Sequence, residues 1–482
     1  MSEQARLHPA AIILNTLKIL KDAFLPFVAI IFIGDADDGW WINIIMAFIY
    51  MGASTVSGFV KWLTFFYHIE NDGIRIHSGV FIKKKRYISF ERIHSVDMTE
   101  GLLQRLFGLV KLTIDTAGSS DKEGEAVLSA ITRAEAIRIS ELIEGSKAGS
   151  IGEDAADEPV EQPIKSEKTV FTMSHKQILI MALTSGRIGV VFAGAFALLG
   201  QLGDKVFIDR IFEEVQAAMA VFSIIFLVVV ILAILAVTYA IAVIWMMLKY
   251  ANFSVKKREG DLIITHGLLE RRQLTIPMEK IQAVRVVESV IRQPFNLATV
   301  YLETASGSAE ELEKSETMLF PLISRKRLGQ LLNPILGQYT IDTAITQLPK
   351  KALPRYIMRQ LMFWIPAAGV AIYFFRPIGY LSIAFVFIGA AWGYLSYRAA
   401  GWGLEGKQLT LRFRRISKYT YIARKERIQS FTTSQSWFQQ KSGLGTVNAY
   451  SKTGSGAGVS NGTVADVDEK DLVALRDWFR YH

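Results

Sequence analysis

The six residues EKIQAV, at 279–284, recur as ERIHSV at 91–96 and as ERIQSF at 426–431. Aligning the copies on Ile93, Ile281 and Ile428 brings a longer pattern into register. Nineteen residues upstream stand Ile74, Leu262 and Leu409, each opening an alternating stretch: IRI, LII and LTL. Sixteen residues downstream stand Leu109, Leu297 and Leu444, preceded by Gly108, Asn296 and Gly443. Gly and Asn best tolerate positive φ, so this spacing predicts a turn with one left-handed residue. Leu112 and Ile114, Val300 and Leu302, and Val447 and Ala449 follow at a spacing of two, which predicts a strand with one buried face. Between motif and turn lies an apolar pair: Leu102 and Leu103, Val290 and Ile291, Trp437 and Phe438. These pairs are expected to form a short helical turn or bulge that plugs the core. Each pattern then ends in a helix. Thr132, Ser324 and Asp468 are its N-caps. Its apolar stripes are Ala136, Ile139 and Ile143; Leu328, Leu331 and Ile335; and Leu472, Leu475 and Phe479. Gap-free spacing over about 40 residues in three copies identifies an internal repeat.

Within the motif, Glu91, Glu279 and Glu426 suit the surface, while Ile281 supplies core. Ile281 and Ala283 keep strand spacing and Val284 does not, so a bulge or turn is expected at Val284; Val96 and Phe431 close the motif at the same place in the other copies.

The chain has 482 residues, of which 51% are hydrophobic, and a formal charge of +9. Its mean hydropathy is +0.27, which points to membrane segments. Residues 40–60, 215–248 and 377–397 carry no charge and are long enough to span a bilayer. Each has a hydrophobic partner before it. Residues 14–33 are interrupted by Lys18, Lys21 and Asp22, with Asp22 one turn from Lys18. Residues 177–203 carry Arg187, and residues 360–375 extend back toward Ile357. Six spans in three pairs are expected. The opening MSEQARLHPAA lacks the regions of a cleaved signal, so the first span is expected to be retained. The links inside the first two pairs are acidic, and the segments after each pair are rich in Lys and Arg. The positive-inside rule therefore places both termini and all three large segments in the cytoplasm.

The expected organisation is a transmembrane hairpin at 10–67 and a β-domain at 68–145; an acidic flexible linker at 146–175; a hairpin at 176–249 and a domain at 250–338; and a hairpin at 355–398 and a domain at 399–482.

At this level of detail the chain resembles the bacterial pleckstrin-homology (PH) domains of YdbS/YdbT-type membrane proteins. The resemblance rests on the E-[RK]-I-[QH]-[SA]-[VF] motif, on the Gly79-Val80-Phe81 and Gly267-Leu268-Leu269 steps, and on the following F-[GN]-L. It covers nearly the whole chain, and the three-unit layout is similar to that of the YdbT-like members. The second unit carries the family's Ile276-Pro277 step. The first has Ile88-Ser89 there, the third has Ala423-Arg424, and the third also has Arg414 in place of the glycine. The resemblance implies an α+β membrane protein of the bacterial inner membrane, with six transmembrane helices in three hairpins. Each hairpin would be followed by a cytoplasmic PH-like split β-barrel with a C-terminal helix. It also implies a one-domain PH-like membrane relative as a hetero-partner.

The residues offer little catalytic chemistry. There is no cysteine, and the seven histidines show no metal-ligand spacing. No H-E-x-x-H, G-x-S-x-G or Walker A pattern occurs. KTGSGAGVSNG, at 452–462, reads as a loop between strands. No enzyme, cofactor or metal is expected. What remains is basic clusters after each first strand: Lys83, Lys84, Lys85 and Arg86; Arg271 and Arg272; Arg412, Arg414, Arg415 and Lys418. In lipid-binding PH domains that hairpin holds the phosphate-binding bases. The expectation is a non-enzymatic platform for a protein partner, anionic lipid or both, in envelope homeostasis or stress resistance by analogy. A six-helix transporter is the alternative. Membrane lipids and a homo-oligomer are among the expected partners; nucleic acid is not.

Overall fold

A computed structural model describes residues 5–14, 16–17, 45, 49–50, 52–53, 56, 59–60, 62–70, 72–79, 83–116, 125–149, 167–185, 220–258, 260–304, 316–451 and 461–481. The first unit contains β1 (Ala5–Arg6), β2 (Phe66–Ile69), β3 (Gly73–Ser78), β4 (Lys84–Ser89) and β5 (Ile93–Glu100). It continues with α1 (Leu102–Leu106), β6 (Leu109–Thr116), β7 (Glu125–Thr132) and α2 (Arg133–Gly149). The second contains β8 (Lys168–Thr172), α3 (His175–Leu183), α4 (Ala220–Lys249), β9 (Ser254–Arg258), β10 (Asp261–His266) and β11 (Arg271–Pro277). It closes with β12 (Ile281–Glu288), β13 (Leu297–Thr304), β14 (Glu316–Ser324) and α5 (Arg325–Leu332). The third contains β15 (Thr346–Gln347), α6 (Leu353–Phe374), α7 (Ser382–Ala399), β16 (Gly401–Glu405), β17 (Gln408–Arg414) and β18 (Lys418–Arg424). It closes with β19 (Ile428–Ser434), α8 (Trp437–Gln440), β20 (Leu444–Ser451), β21 (Asn461–Asp468) and α9 (Glu469–Tyr481).

The repeated motif forms the expected bulge, but before Ala283 rather than at Val284. Glu91, Glu279 and Glu426 sit in one-turn 3-10 helices, and Ile93, Ile281 and Ile428 behind them are buried. Pairing with the next strand slips just after each isoleucine, between Ile93 and Ser95, Ile281 and Ala283, and Ile428 and Ser430. That bulge lets Ile281 and Val284 both enter the core. Gly108, Asn296 and Gly443 have φ of +64°, +52° and +57°. The closing helices bury Ala136, Ile139 and Ile143, then Leu328 and Leu332, then Leu472 and Leu475, and Ile335 is buried in the turn just past α5. Thr132 Oγ1 accepts from the Glu135 amide, and Asp468 Oδ1 from the Lys470 amide.

The barrels expected for each unit are not closed. The strand orders are β1-β2-β3-β4, then β7-β6-β5-β11-β10-β9-β8, then β14-β13-β12-β18-β17-β16-β15, and finally β19-β20-β21. The fourth strand of a unit (β11 or β18) hydrogen-bonds to the fifth strand of the unit before it (β5 or β12), so two sheets run across unit boundaries. Each unit still has its own core, but the seam mixes them. Ile422 of the third unit packs into the second core, and Ala283 of the second packs into the third.

Three short strands lie before the expected unit starts. β1, β8 and β15 pair with β2, β9 and β16, so each segment expected to form a membrane hairpin is inserted between two neighbouring strands of one sheet. The segment at 146–175 is accordingly not all linker. α2 runs to Gly149, and Lys168–Thr172 is a strand. The expected six spans are not clearly six. Among the described residues three helical stretches are long and apolar enough to cross a membrane: 229–249, 350–374 and 379–399. The expected span at 14–33, most of those at 40–60 and 177–203, and Arg187, Lys18 and Asp22 lie outside the described residues. In the third hairpin, α6 and α7 pack closely because Gly389 lies against Trp364 and Gly393 against the Ile357 backbone.

Candidate binding surfaces: the seams, the basic edge and the apolar turns

The two seams share one register. At the first, Val96 faces Thr275, Asp97 faces Leu274, Met98 faces Gln273, Thr99 faces Arg272 and Glu100 faces Arg271. At the second, Val284 faces Ile422, Arg285 faces Tyr421, Val286 faces Thr420, Val287 faces Tyr419 and Glu288 faces Lys418. Val96 and Val284 are both three residues after their aligned isoleucine, and Thr275 and Ile422 are both six before theirs. In each seam a glutamate ending the fifth strand meets a base opening the next unit's fourth strand. Lys418 Nζ lies 3.1 Å from Glu288 Oε1, and Arg325 also pairs with Glu288. Arg272 pairs with buried Asp97.

The sequence-predicted bases therefore divide by unit. In the second and third, Arg271, Arg272 and Lys418 line seams. Arg412 Nε donates to the Ala399 carbonyl at the end of α7 (2.8 Å). Arg414 donates to Gln293 of the second unit and lies over the Trp392 ring. Arg415 lies over Phe413. In the first unit, β4 ends its sheet, and Lys83, Lys84 and Lys85 are exposed along that edge. Lys83 holds the position that Arg271 and Lys418 hold against the preceding unit's glutamate. Beside the first seam lies a polar cleft of about 630 Å³ lined by Arg105, Arg133, Arg258 and Glu167, among others. Hydrogen bonds from Lys256 and Arg258 hold the Glu167 carboxyl below the usual carboxylate range.

The apolar pairs expected to plug the core do the opposite. Leu102, Leu103, Val290, Ile291, Trp437 and Phe438 are all exposed, as are Leu106, Phe107 and Phe295. The cores are already filled by the strands and closing helices, so the turns project outward. Each turn is tied to a helix of a segment expected to form a membrane hairpin. Arg105 Nη1 donates to the Leu268 carbonyl (3.0 Å), and the Leu268 amide donates to Leu248, in the last turn of α4 (2.9 Å). Arg292 donates to the Met181 carbonyl (3.2 Å) and Thr184 Oγ1 (2.9 Å) on α3. From α6, Arg355 donates to the Phe438 carbonyl and to Ser442 Oγ.

Several of these groups escaped sequence reading. Arg292 is buried, and its guanidinium is pulled down by burial. Asp466, at φ +60°, is buried and held by Arg359 (2.7 Å) and Arg355 (3.9 Å). Glu303 pairs with Arg285 and accepts from Ser451 of the third unit (3.2 Å). The sequence signal was weak in each case: one charged residue in an apolar strand or turn, with its partner far along the chain.

Residues 21–147, 197–338 and 360–482 match the family described as Bacterial PH domain. The chain belongs to that family. This bacterial PH-domain protein is also 36% identical over 498 aligned positions to the UPF0699 transmembrane protein YdbT of Bacillus subtilis (strain 168). The alignment covers 100% of this chain and 99% of that relative. The bacterial PH-domain units thus sit on a transmembrane protein of YdbT type, and the three family matches coincide with the three copies of the internal repeat.

Proposed function

We propose that this protein is a non-enzymatic platform of the inner membrane that presents its PH-like units in the cytoplasm to an anionic partner. The reading rests on one observation. Two seams join a glutamate-ended fifth strand to a base-led fourth strand in the same register, and the first unit has the base-led strand at a sheet edge among the described residues. Strand addition at such an edge gives affinity through the main chain and specificity through alternate side chains. The basic residues following each hairpin support the cytoplasmic orientation.

The favoured occupant of β4 is the fifth strand of another PH-like unit, with an acid facing Lys83. A second copy of this chain is a poorer fit. Its free fifth strand, β19, exposes Ser430, Thr432 and Ser434, and Gln435 stands where Glu100 and Glu288 stand in the seams. A one-domain PH-like relative with an acidic strand fits better. Anionic headgroups compete for the same bases, each contributing about 1 kcal/mol near an anionic leaflet.

A photocrosslinking residue at Tyr87 of the full chain, activated in native membranes, tests this. Capture of a PH-like protein that is lost when Lys83, Lys84, Lys85 and Arg86 are changed to Gln supports the reading. Capture of lipid alone moves the site to headgroup binding. No specific product from either class removes the edge as a binding surface.

A further inference from the structure

We propose that the apolar turn between the fifth and sixth strands of each unit dips into the headgroup–acyl boundary of the bilayer, making the lipid surface a ligand of all three units. This does not depend on what occupies the β4 edge.

Three observations converge. First, the exposure repeats. Leu102 and Leu103 are 55% and 42% exposed, Val290 and Ile291 41% and 54%, and Trp437 and Phe438 61% and 68%. A single exposed apolar residue needs no explanation, but a large pair exposed at the same aligned position in three units does. Second, position. The first turn adjoins the last turn of α4, the second is bonded into α3 of the second hairpin, and the third into the first turn of α6. Residues 229–249 and 350–374, which contain the ends of α4 and α6 involved, are long and apolar enough to cross the membrane. Third, chemistry. The first and third turns set apolar residues beside an exposed cation, Arg105 and Lys441, whose Nζ lies 3.8 Å from the Trp437 ring centre, whereas Arg292 of the second turn is buried and bonded inward. Apolar and aromatic groups flanked by bases are what an interfacial anchor needs.

The surroundings of the first turn support a lipid rather than a protein occupant. An apolar groove of about 650 Å³ separates Leu102 and Leu103 from Trp245 and Leu248 of α4. Trp245 is itself exposed on the helix that crosses, so an acyl chain lying along α4 continues directly into this groove. Of the groove's charged lining, Arg272 is taken up by Asp97, and Lys249 and Glu270 balance each other.

The chain contains no cysteine, so single-cysteine probes can be placed in the otherwise unaltered full-length protein. Leu103→Cys, Ile291→Cys and Phe438→Cys, each carrying a nitroxide, are to be reconstituted in nanodiscs of mixed zwitterionic and anionic phospholipid. Collision with oxygen is compared with collision with a water-soluble nickel chelate. Ser434→Cys, exposed on β19, is the aqueous reference. The expected result is oxygen-favoured collision at all three turns, severalfold above the reference. A nickel-favoured profile means that the turns face water, and overturns the proposal. A site closed to both reagents means that protein covers it, and overturns it equally. Leu102→Cys, Val290→Cys and Trp437→Cys repeat the measurement should a first variant fail to fold. The quadruple Lys83–Arg86 to Gln variant is expected to leave these profiles unchanged.

Discussion

Glu303 has no solvent exposure, and its counterion Arg285 is 3% exposed, so this pair is the most deeply buried charge in the second seam. Taking two charges out of water is costly, and their attraction offsets the loss only while both remain. Arg285→Met is therefore expected to destabilise the protein by about 3–5 kcal/mol, because it strands a buried carboxylate. Arg285→Met with Glu303→Met should recover most of that. Thermal unfolding of the purified protein in detergent measures both. A double variant no better than the single would mean that the carboxylate's bond from Ser451, not its charge, governs the site. At this scale the sequence was informative wherever residue type alone fixes behaviour. Gly108, Asn296 and Gly443 mark left-handed turns because few other types tolerate them. Arg285 and Glu303 stayed hidden. An isolated charge in a β-strand looks like the solvent face until the covering unit is known.

Among the elements, strands of eight residues with a two-residue period were readable, and so were the closing helices. β1, β8 and β15 were not: two to five residues carry no period, and each is separated from its partner strand by a whole hairpin. The apolar turns misled for a different reason. An apolar pair must leave water, but in a membrane protein the bilayer is a second place for it to go. The third hairpin is the element most open to direct test. A side chain at Gly393 would meet the Ile357 Cα at 2.7 Å, whereas one at Gly369 meets nothing within 4 Å. Gly393→Leu should therefore separate α6 from α7 and lower both the yield and the melting temperature of the purified protein. Gly369→Leu should behave as wild type. Equal behaviour of the two variants would show that the close crossing contributes little to holding the hairpin together.

Across the whole molecule, the repeat count and the family were legible, and the joining of units was not. Periodicity describes which face of a strand is buried. It says nothing about which strand lies at its edge, because main-chain hydrogen bonds are the same for every residue type. The seams make unit stability collective, as in other linear arrays. Removing residues 346–482 takes β18 from the edge of β12 and Ile422 from the second core. In that truncated chain the amides of 283–288 should exchange about tenfold faster or more, since strand-edge opening becomes local. The first core, around Ile114 and Leu128, should keep its protection. Unchanged exchange at 283–288 would mean that the second unit is complete without its neighbour.

The insertion of each hairpin between neighbouring strands also orders events in time. In the second unit β8 ends at Thr172 and its partner β9 begins at Ser254, with the whole hairpin made in between. On the proposed topology, β8 would wait as the chain leaves the ribosome until the segment between it and β9 had crossed and come back on the same side. Only then do β9 to β11 form and offer a partner to β5, which has been waiting even longer. On that topology, sheet formation would act as a checkpoint on membrane insertion, passed unit by unit from the N-terminus. A hairpin that fails to return leaves two strand edges open at once, a defect that quality-control proteases are suited to detect.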